Sequence, residues 1–163
     1  MRDPPPGYQT VSPYLLYEDA PRAIEHLKSA FGFEERLSQT GGAGRTHTEL
    51  LLGEDGLVMV GQAWDGFSSP RSLGAHAPSL VHVYVNDVGA LHERAKAAGA
   101  DVTGLETSPV GDRRFTATDP EGQVWVFAQR VSTKAGEPIE RLDQIAGDLE
   151  RKLSPPDTGE GSG

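Results

Sequence analysis

An internal repeat constrains the fold of this chain more than any other feature of its sequence. Residues 12–31 and 80–98 each combine an apolar, strand-like run, an acidic residue and an amphipathic helical pattern. Asp19 and Asp87 stand at matching places, where a short carboxylate accepts hydrogen bonds from the open amides of a first helical turn. We therefore expect two copies of one unit, each starting with a strand and a helix.

Further strand patterns follow each helix and complete the two copies. Gly32 and Gly99 come directly after the helical patterns, where left-handed C-caps are expected. The predicted strands are Phe33–Gln39, Thr46–Leu52 and Leu57–Ala63 in the first copy, and Asp101–Leu105, Arg113–Thr118 and Val124–Gln129 in the second. Gly56 and Gly122 are taken as equivalent residues of the last turn in each copy. The pattern predicts an α+β fold of tandem βαβββ modules, spanning residues 10–63 and 80–131.

Four segments lie outside the two predicted modules. Residues 1–9 are rich in proline and are expected to form a flexible lead, and residues 64–79 form a linker. Residues 137–153 carry apolar side chains at helical spacing, which predicts an amphipathic helix that packs on its own domain or on a partner subunit. Residues 154–163 have no large apolar side chain and are expected to be disordered.

Composition excludes several classes of protein. The chain has 24 acidic and 15 basic residues, a net charge of −9, which argues against binding to nucleic acid or to an anionic membrane surface. It has no cysteine, which excludes a disulfide framework, a thiolate zinc site and a cysteine nucleophile. The N-terminus lacks the pattern of a signal peptide, so the sequence predicts a cytoplasmic protein.

Several short strings occupy matching places in the repeat. They are Gly111-Asp112-Arg113, Asp119-Pro120-Glu121-Gly122-Gln123-Val124-Trp125, Ser12-Pro13-Tyr14-Leu15, Ala30-Phe31-Gly32, and His47-Thr48-Glu49-Leu50 ahead of Gly53. Together they resemble the vicinal-oxygen-chelate superfamily, which includes glyoxalase I, bleomycin-resistance proteins, fosfomycin-resistance enzymes and extradiol dioxygenases. The resemblance covers about residues 10–130. It implies that the modules form a curled mixed sheet around a cavity, within one chain or across two subunits, and that the protein is a homodimer that binds a small organic ligand.

The resemblance also indicates where metal-using members hold their metal. Two ligands come from first strands, at the positions of Ser12 and Leu80, and two from last strands, at the positions of Val60 and Val126. Divalent metals in proteins are held by imidazole or anionic oxygen donors, and none of these four residues supplies one. We therefore expect no metal and no cofactor.

Alternation along the strands predicts which side chains line the cavity. The inward set is Ser12, Tyr14, Leu16, Val58, Val60, Leu80, His82, Tyr84, Val124 and Val126, with Trp125 and Phe127 facing the helices. A largely apolar lining with a few polar groups is typical of a pocket for an organic molecule. A register error of one residue would invert any part of this set.

Two histidines and one carboxylate are candidate catalytic residues. His47 and Glu49 share one strand face and could form an acid/base pair, although a solvated strand face gives the same spacing. His82 is either a structural histidine or a contact to the ligand.

Two further side chains are candidates for contact with a ligand. Arg113 could orient an anionic group of a substrate, or form an ion pair with Asp112 or Asp119. Trp64 could stack on a planar ligand, or close a sheet edge. The candidate ligand-binding residues are Tyr14, His47, Glu49, Trp64, His82, Tyr84 and Arg113.

These patterns leave three functions open. The first is a metal-free relative of the bleomycin-resistance proteins that sequesters an antibiotic or a metabolite. The second is an enzyme of glyoxalase, isomerase or dioxygenase type with a non-standard active site. The third is a structural or interaction role in which the cavity has no ligand.

Overall fold

The computed structural model describes residues 4–42 and 45–131, and it contains two βαβββ modules. Module 1 consists of β1 (Tyr14–Tyr17), α1 (Ala20–Phe31), β2 (Glu34–Thr40), β3 (Thr46–Leu52) and β4 (Gly56–Gln62). A short helix, α2 (Pro70–Leu73), follows in the linker. Module 2 consists of β5 (Leu80–Tyr84), α3 (Val88–Ala97), β6 (Asp101–Val102), β7 (Glu106–Thr107), β8 (Asp112–Thr118) and β9 (Val124–Arg130). The predicted α+β class and the tandem repeat are confirmed.

Each module forms one mixed sheet with its first strand at an edge. The strand order is β1-β4-β3-β2 in module 1 and β5-β9-β8-β6 in module 2, where β7 also pairs with β8. The first strand runs parallel to the last, and the other neighbours are antiparallel. The predicted strand Asp101–Leu105 is wrong in its extent. The Thr103 hydroxyl accepts the Thr116 amide at 2.9 Å, and pairing resumes only at Glu106.

The helix ends follow the predicted capping residues. Asp19 and Asp87 each accept a hydrogen bond from the amide three residues later, at 3.1 and 2.9 Å. Gly32, directly after α1, and Gly99, which follows the C-cap Ala98 of α3, adopt positive φ angles of 80° and 75°, a conformation that glycine tolerates without steric cost. Local sequence therefore determines where both helices begin and end.

The strand register corrects the predicted lining of module 1. Tyr14 is paired with Met59, and at the matching place of module 2 His82 is paired with Val126. Val58 and Val60 belong instead to the hydrophobic core under α1. The prediction that they face the cavity is wrong. We call the sheet face that points away from the helix the open face, and in β4 it carries Leu57, Met59 and Gly61.

The cause of this error is the choice of turn glycine. In module 2 the left-handed residue of the last turn is Gly122, with a φ of 93°, whereas in module 1 it is Gly53, with a φ of 67°. Gly56 does not have a positive φ. It is the first residue of β4 and pairs with Leu52, and at the matching place of module 2 the Gln123 carbonyl accepts from the Asp119 amide. The last strands are therefore related by 67 positions and not by 66, which reverses the faces of β4.

In module 2 the predicted faces are confirmed. Trp125 and Phe127 are fully buried in the core, on the helix side of β9. His82 and Tyr84 lie on the open face of β5, in register with Val126 and Ala128. The two modules thus present equivalent open faces.

One hydrophobic core joins the two modules. The Phe31 ring at the end of α1 lies 4.8 Å from that of Phe127 and 5.8 Å from that of Trp125. The buried Tyr17 hydroxyl donates to Asp119 at 2.7 Å. Burial and the adjacent Asp119 carboxylate raise the pKa of Tyr17, so this phenol stays protonated.

The linker is fixed to both modules through short polar contacts. The Glu18 carboxylate accepts the Ser69 amide at 2.6 Å, a bond that lowers the pKa of Glu18. The Arg71 amide donates to the Glu121 carbonyl at 3.0 Å. In the described part of the chain, no helix has the length and apolar character needed to cross a membrane. The predictions for residues 137–153 and 154–163 concern residues outside those that the structure describes.

Candidate functional site

The open face of module 1 brings three predicted site residues together. The Tyr14 hydroxyl lies 2.9 Å from Nδ1 of His47, and Nε2 of His47 lies 3.6 Å from Oε1 of Glu49. His47 and Glu49 are adjacent because alternate residues of β3 share one face. Tyr14 reaches them across β4 because Gly61 has no side chain: a Cβ atom there would lie 2.8 Å from the Tyr14 ring.

Glu49 is almost completely buried, with 2% of the residue exposed. A carboxylate in such a place is costly unless charges and hydrogen bonds compensate it. Arg36 supplies the charge, with its Nε atom 3.0 Å from Oε2, and the Tyr8 hydroxyl donates to Oε1 at 2.8 Å. The result is a continuous polar cluster of five side chains, which we call the Glu49 cluster: Tyr8, Tyr14, Arg36, His47 and Glu49.

Sequence reasoning missed Arg36 and Tyr8. Arg36 is the extra residue of a β-bulge between Glu35 and Leu37, so alternation along β2 does not give its direction. An inward-facing Glu49 needs a cation beside it, and a search of the sequence for that cation could have identified Arg36. Tyr8 belongs to the lead, whose backbone contacts Arg36 through the Gly7 carbonyl at 2.6 Å. A proline-rich composition carries no signal of such a contact.

The open face of module 2 carries a different set of groups. The rings of His82 and Tyr84 have centroids 5.0 Å apart, and the Tyr84 hydroxyl donates to Asp112 at 3.0 Å. Arg130 forms an ion pair with Asp112 at 2.9 Å. Desolvation lowers the pKa of His82, against the opposing attraction of Asp112, so the ring favours its neutral form.

Trp64 and Arg113 lie apart from both open faces. Trp64 follows β4 in the linker and is 59% exposed. Arg113 is on the helix side of β8, where its guanidinium lies 3.8 Å from the place of a Cβ on Gly89. The two predicted partners of Arg113 are engaged elsewhere, since Asp112 pairs with Arg130 and Asp119 accepts from Tyr17.

Two clefts lie beside the first strands of the modules. A cleft of about 350 Å³ separates β1 from the linker, and Tyr14, Leu16, Phe67 and Leu73 are among its lining residues. A second cleft of about 290 Å³ lies between β5 and the β3–β4 turn, and it includes His82 and Tyr84. Tyr14 therefore connects the Glu49 cluster to a cleft of the size of a small organic molecule.

The residues at the metal positions implied by the resemblance do not fit a divalent metal. With the corrected register the four positions hold Ser12, Met59, Leu80 and Val126. Hard and borderline divalent ions take oxygen and imidazole donors, and a thioether, a hydroxyl and two alkyl groups do not replace them. Within residues 4–42 and 45–131, no group of three or more His, Asp or Glu side chains is arranged to hold a metal ion.

Comparison with known proteins identifies the family to which this fold belongs. The model of the Glyoxalase/Bleomycin resistance protein/Dioxygenase superfamily matches residues 10–127. The chain therefore belongs to this superfamily, and the resemblance seen in its motifs is confirmed. The uncharacterized protein Rv0887c of Mycobacterium tuberculosis is 36% identical in a 127-residue alignment that covers 74% of this chain and 74% of that protein.

Solved structures support the same assignment. TioX from Micromonospora sp. ML1 is 34% identical, with a TM-score of 0.59 over 72% of this chain and 95% of that chain. The genomically encoded fosfomycin resistance protein FosX from Listeria monocytogenes is 14% identical, with a TM-score of 0.56 over 74% of this chain and 92% of that chain. The likeness to FosX concerns the fold alone.

Proposed function

We propose that this protein binds a small organic ligand, an antibiotic or a metabolite, on the open face of module 1 and sequesters it without a metal. The observation that carries this proposal is the composition of the site. The positions that hold metal in other members carry no donors for it, while the same face holds the ordered Glu49 cluster. Sequestration needs a shaped surface with fixed polar groups and no chemical step.

The geometry supplies each element of such a binding surface. The cleft beside β1 offers apolar contacts through Leu16 and Phe67. Tyr14 is half exposed at the border between this cleft and the cluster, and its hydroxyl is oriented by His47. Glu49 provides a buried hydrogen-bond acceptor whose position Arg36 fixes. A polar group fixed before binding loses little entropy when a ligand arrives.

The test is a thermal-shift screen with aromatic antibiotics and metabolites, followed by calorimetry. Glu49→Gln should weaken the binding of a hit by about tenfold or more, because a buried charged hydrogen bond is lost. Thr116→Val is the matched control, since Thr116 holds the equivalent open-face position in module 2. Stoichiometric binding of Mn²⁺, Ni²⁺ or Zn²⁺ at micromolar affinity would contradict the metal-free proposal.

A second candidate function is acid/base catalysis, and the position of His47 favours it. The imidazole lies between a phenol and a buried carboxylate, an arrangement that can orient a general base. The measurement is mass spectrometry of the hit after incubation with the wild-type protein or with His47→Gln. Under sequestration the hit is recovered unchanged, and a product that requires His47 would establish catalysis instead.

Two further proposals follow, the first from the resemblance and the second from the pattern of the N-terminal sequence. We propose that the protein is a homodimer and that it acts in the cytoplasm. Size-exclusion chromatography with light scattering would show a dimer mass for the first, and a monomer at micromolar concentration would contradict it. Fractionation of the source cells tests the second, which fails if the protein is recovered outside the cytoplasmic fraction.

A further inference from the structure

Module 1 contains a subsite that is occupied by a side chain of its own lead. We propose that Tyr8 stands in for the ligand: the site takes a planar aromatic group that carries a hydroxyl or amine donor, as a phenol does, and Tyr8 must leave when that group binds. This inference rests on the proposed function and names the ligand class and the regulation of the same site.

The first argument is the buried acceptor. Oε1 of Glu49 receives the Tyr8 hydroxyl at 2.8 Å, and only 3% of the Glu49 side chain is exposed. Leaving a buried carboxylate without this donor is costly, so whatever replaces Tyr8 must bring a donor of its own. A ligand that presented an ether or a carboxylate at this point would be rejected, because both groups are acceptors only.

The second argument is the flat contact above the ring. The guanidinium carbon of Arg36 lies 4.3 Å from the centroid of the Tyr8 ring, within the range of a cation–π interaction. Nε of this guanidinium lies 3.0 Å from Oε2 of Glu49, a contact within the module, and while the lead is in place the Gly7 carbonyl also accepts from it at 2.6 Å. The subsite therefore selects for a planar, electron-rich ring.

The third argument is the way in which the lead is attached. Residues 4–13 contain no helix or strand, and Tyr8 adds only a local turn bond from its amide to the Pro5 carbonyl at 3.0 Å. Residues 7–9 contact the module, apart from the Tyr8 side chain, through Arg36 with Gly7 and through the Gln9 side chain with the Asp55 carbonyl. The Met59 amide donates to the Pro13 carbonyl at 2.9 Å, so the displaceable segment is the part of the lead before Pro13. Displacing this segment leaves the core untouched. A tethered side chain competes at an effective concentration that is typically in the millimolar range, so the lead raises the apparent Kd of any ligand.

The experiment uses the full chain with Tyr8→Ala and p-cresol as the probe. Tyr8→Ala should bind p-cresol at least about tenfold more tightly than the wild-type protein, because the tethered competitor is gone. The melting temperature of Tyr8→Ala, lowered relative to the wild type, should rise with millimolar p-cresol. The matched probe 4-methylanisole, which has the same ring but no donor, should produce neither effect.

Three further variants keep the result interpretable. Tyr8→Ala combined with Glu49→Gln should lose the preference for p-cresol over 4-methylanisole. Tyr14→Ala removes a neighbouring tyrosine of the same face and should create no p-cresol site. Tyr8→Leu replaces Tyr8→Ala if the latter does not fold, and the same preference for p-cresol is expected. Equal binding of p-cresol by the wild type and the Tyr8 variants, or equal binding of both probes, would overturn the proposal.

The subsite and the proposed function fail in different ways. If p-cresol binds Tyr8→Ala as described and the screen yields no natural compound, the subsite stands and sequestration falls. If a screened compound binds with an affinity that Glu49→Gln weakens and Tyr8→Ala leaves unchanged, sequestration stands and the subsite falls.

Discussion

The open faces of the two modules have matching backbones and unlike chemistry. In the two registers, Glu49 of module 1 holds the position equivalent to that of Thr116 in module 2, and His47 the position equivalent to that of Arg114. In module 1 the carboxylate is buried and forms the Glu49 cluster, whereas in module 2 Arg114 is paired with Glu106 at 3.2 Å. The two copies of the repeat thus keep an equivalent helix-facing core, whereas the polar side chains of their open faces differ.

The prediction with the largest expected effect tests which residues of β4 face the core and which lie on the open face. Val60→Glu places a charge in the shared core, and we expect a loss of about 3–5 kcal/mol in unfolding free energy. Met59→Glu, one residue earlier, places the same group on the open face opposite Glu49, where like-charge repulsion should cost about 1–2 kcal/mol, less than the loss for Val60→Glu. Urea denaturation measures both. Equal losses for the two variants would show that the faces of β4 are not those described.

The second prediction compares the last turns of the two modules. Asp119 accepts from the Tyr17 hydroxyl and from the amides of Glu121 and Gln123. Asp119→Ala leaves these buried donors without a partner, so we expect a loss of about 3 kcal/mol. Glu54→Ala, in the exposed turn of module 1, should change stability by no more than about 0.5 kcal/mol. A small effect of Asp119→Ala in thermal or urea unfolding would mean that the contact between modules contributes little.

The third prediction concerns Gly61, a position at which the open faces of the two modules differ. Gly61 in module 1 corresponds to Ala128 in module 2, and a Cβ at Gly61 would meet the Tyr14 ring at 2.8 Å. Gly61→Ala should therefore cost about 1–2 kcal/mol and move Tyr14 away from His47. NMR of the His47 ring reports the lost contact. Ala128→Gly is the control, and it should leave the His47 signals unchanged; if Gly61→Ala leaves them unchanged too, the steric account of Tyr14 is wrong.

The smallest expected effect is a dependence of stability on pH that arises from one histidine in each module. Burial lowers the pKa of His26 in α1 and of His82 in β5 below the ordinary value of 6.5. As pH falls below this value the unfolded chain takes up protons that the folded chain does not, so stability decreases toward acid.

Substitution of each histidine tests this dependence. His26→Gln and His82→Gln should each flatten the fall in melting temperature between about pH 7 and pH 5. Ser79→Ala, which replaces no titratable group of the linker, is the control and should leave the slope as it is. A steeper slope in either of the first two variants would contradict a lowered pKa of the histidine that it replaces.

Local signals in the sequence predicted the repeat, both helices with their caps, and the open face of module 2. These features depend on residues within a few positions of one another, as at Asp19 and Gly32. The face of β4 depended on which turn glycine adopts a left-handed conformation. Gly53 does, whereas the prediction used Gly56, which ends its turn as Gly122 ends Asp119-Pro120-Glu121-Gly122. Arg36 and Tyr8 were not predicted. A β-bulge positions Arg36 and a long-range contact positions Tyr8, and neither feature produces a periodic pattern in the sequence.

The hydrogen bond between Tyr17 and Asp119 also affects when the chain can fold during its synthesis. Its partners are 102 residues apart, and the aromatic partners of Phe31 are equally late in the sequence. At a synthesis rate of about 5–20 residues per second, the first copy waits roughly 5–20 s on the ribosome for the groups that complete its core. During that interval Tyr17 and Phe31 lack the partners that cover them in the folded protein, so the first copy cannot complete its core until the second copy has been made.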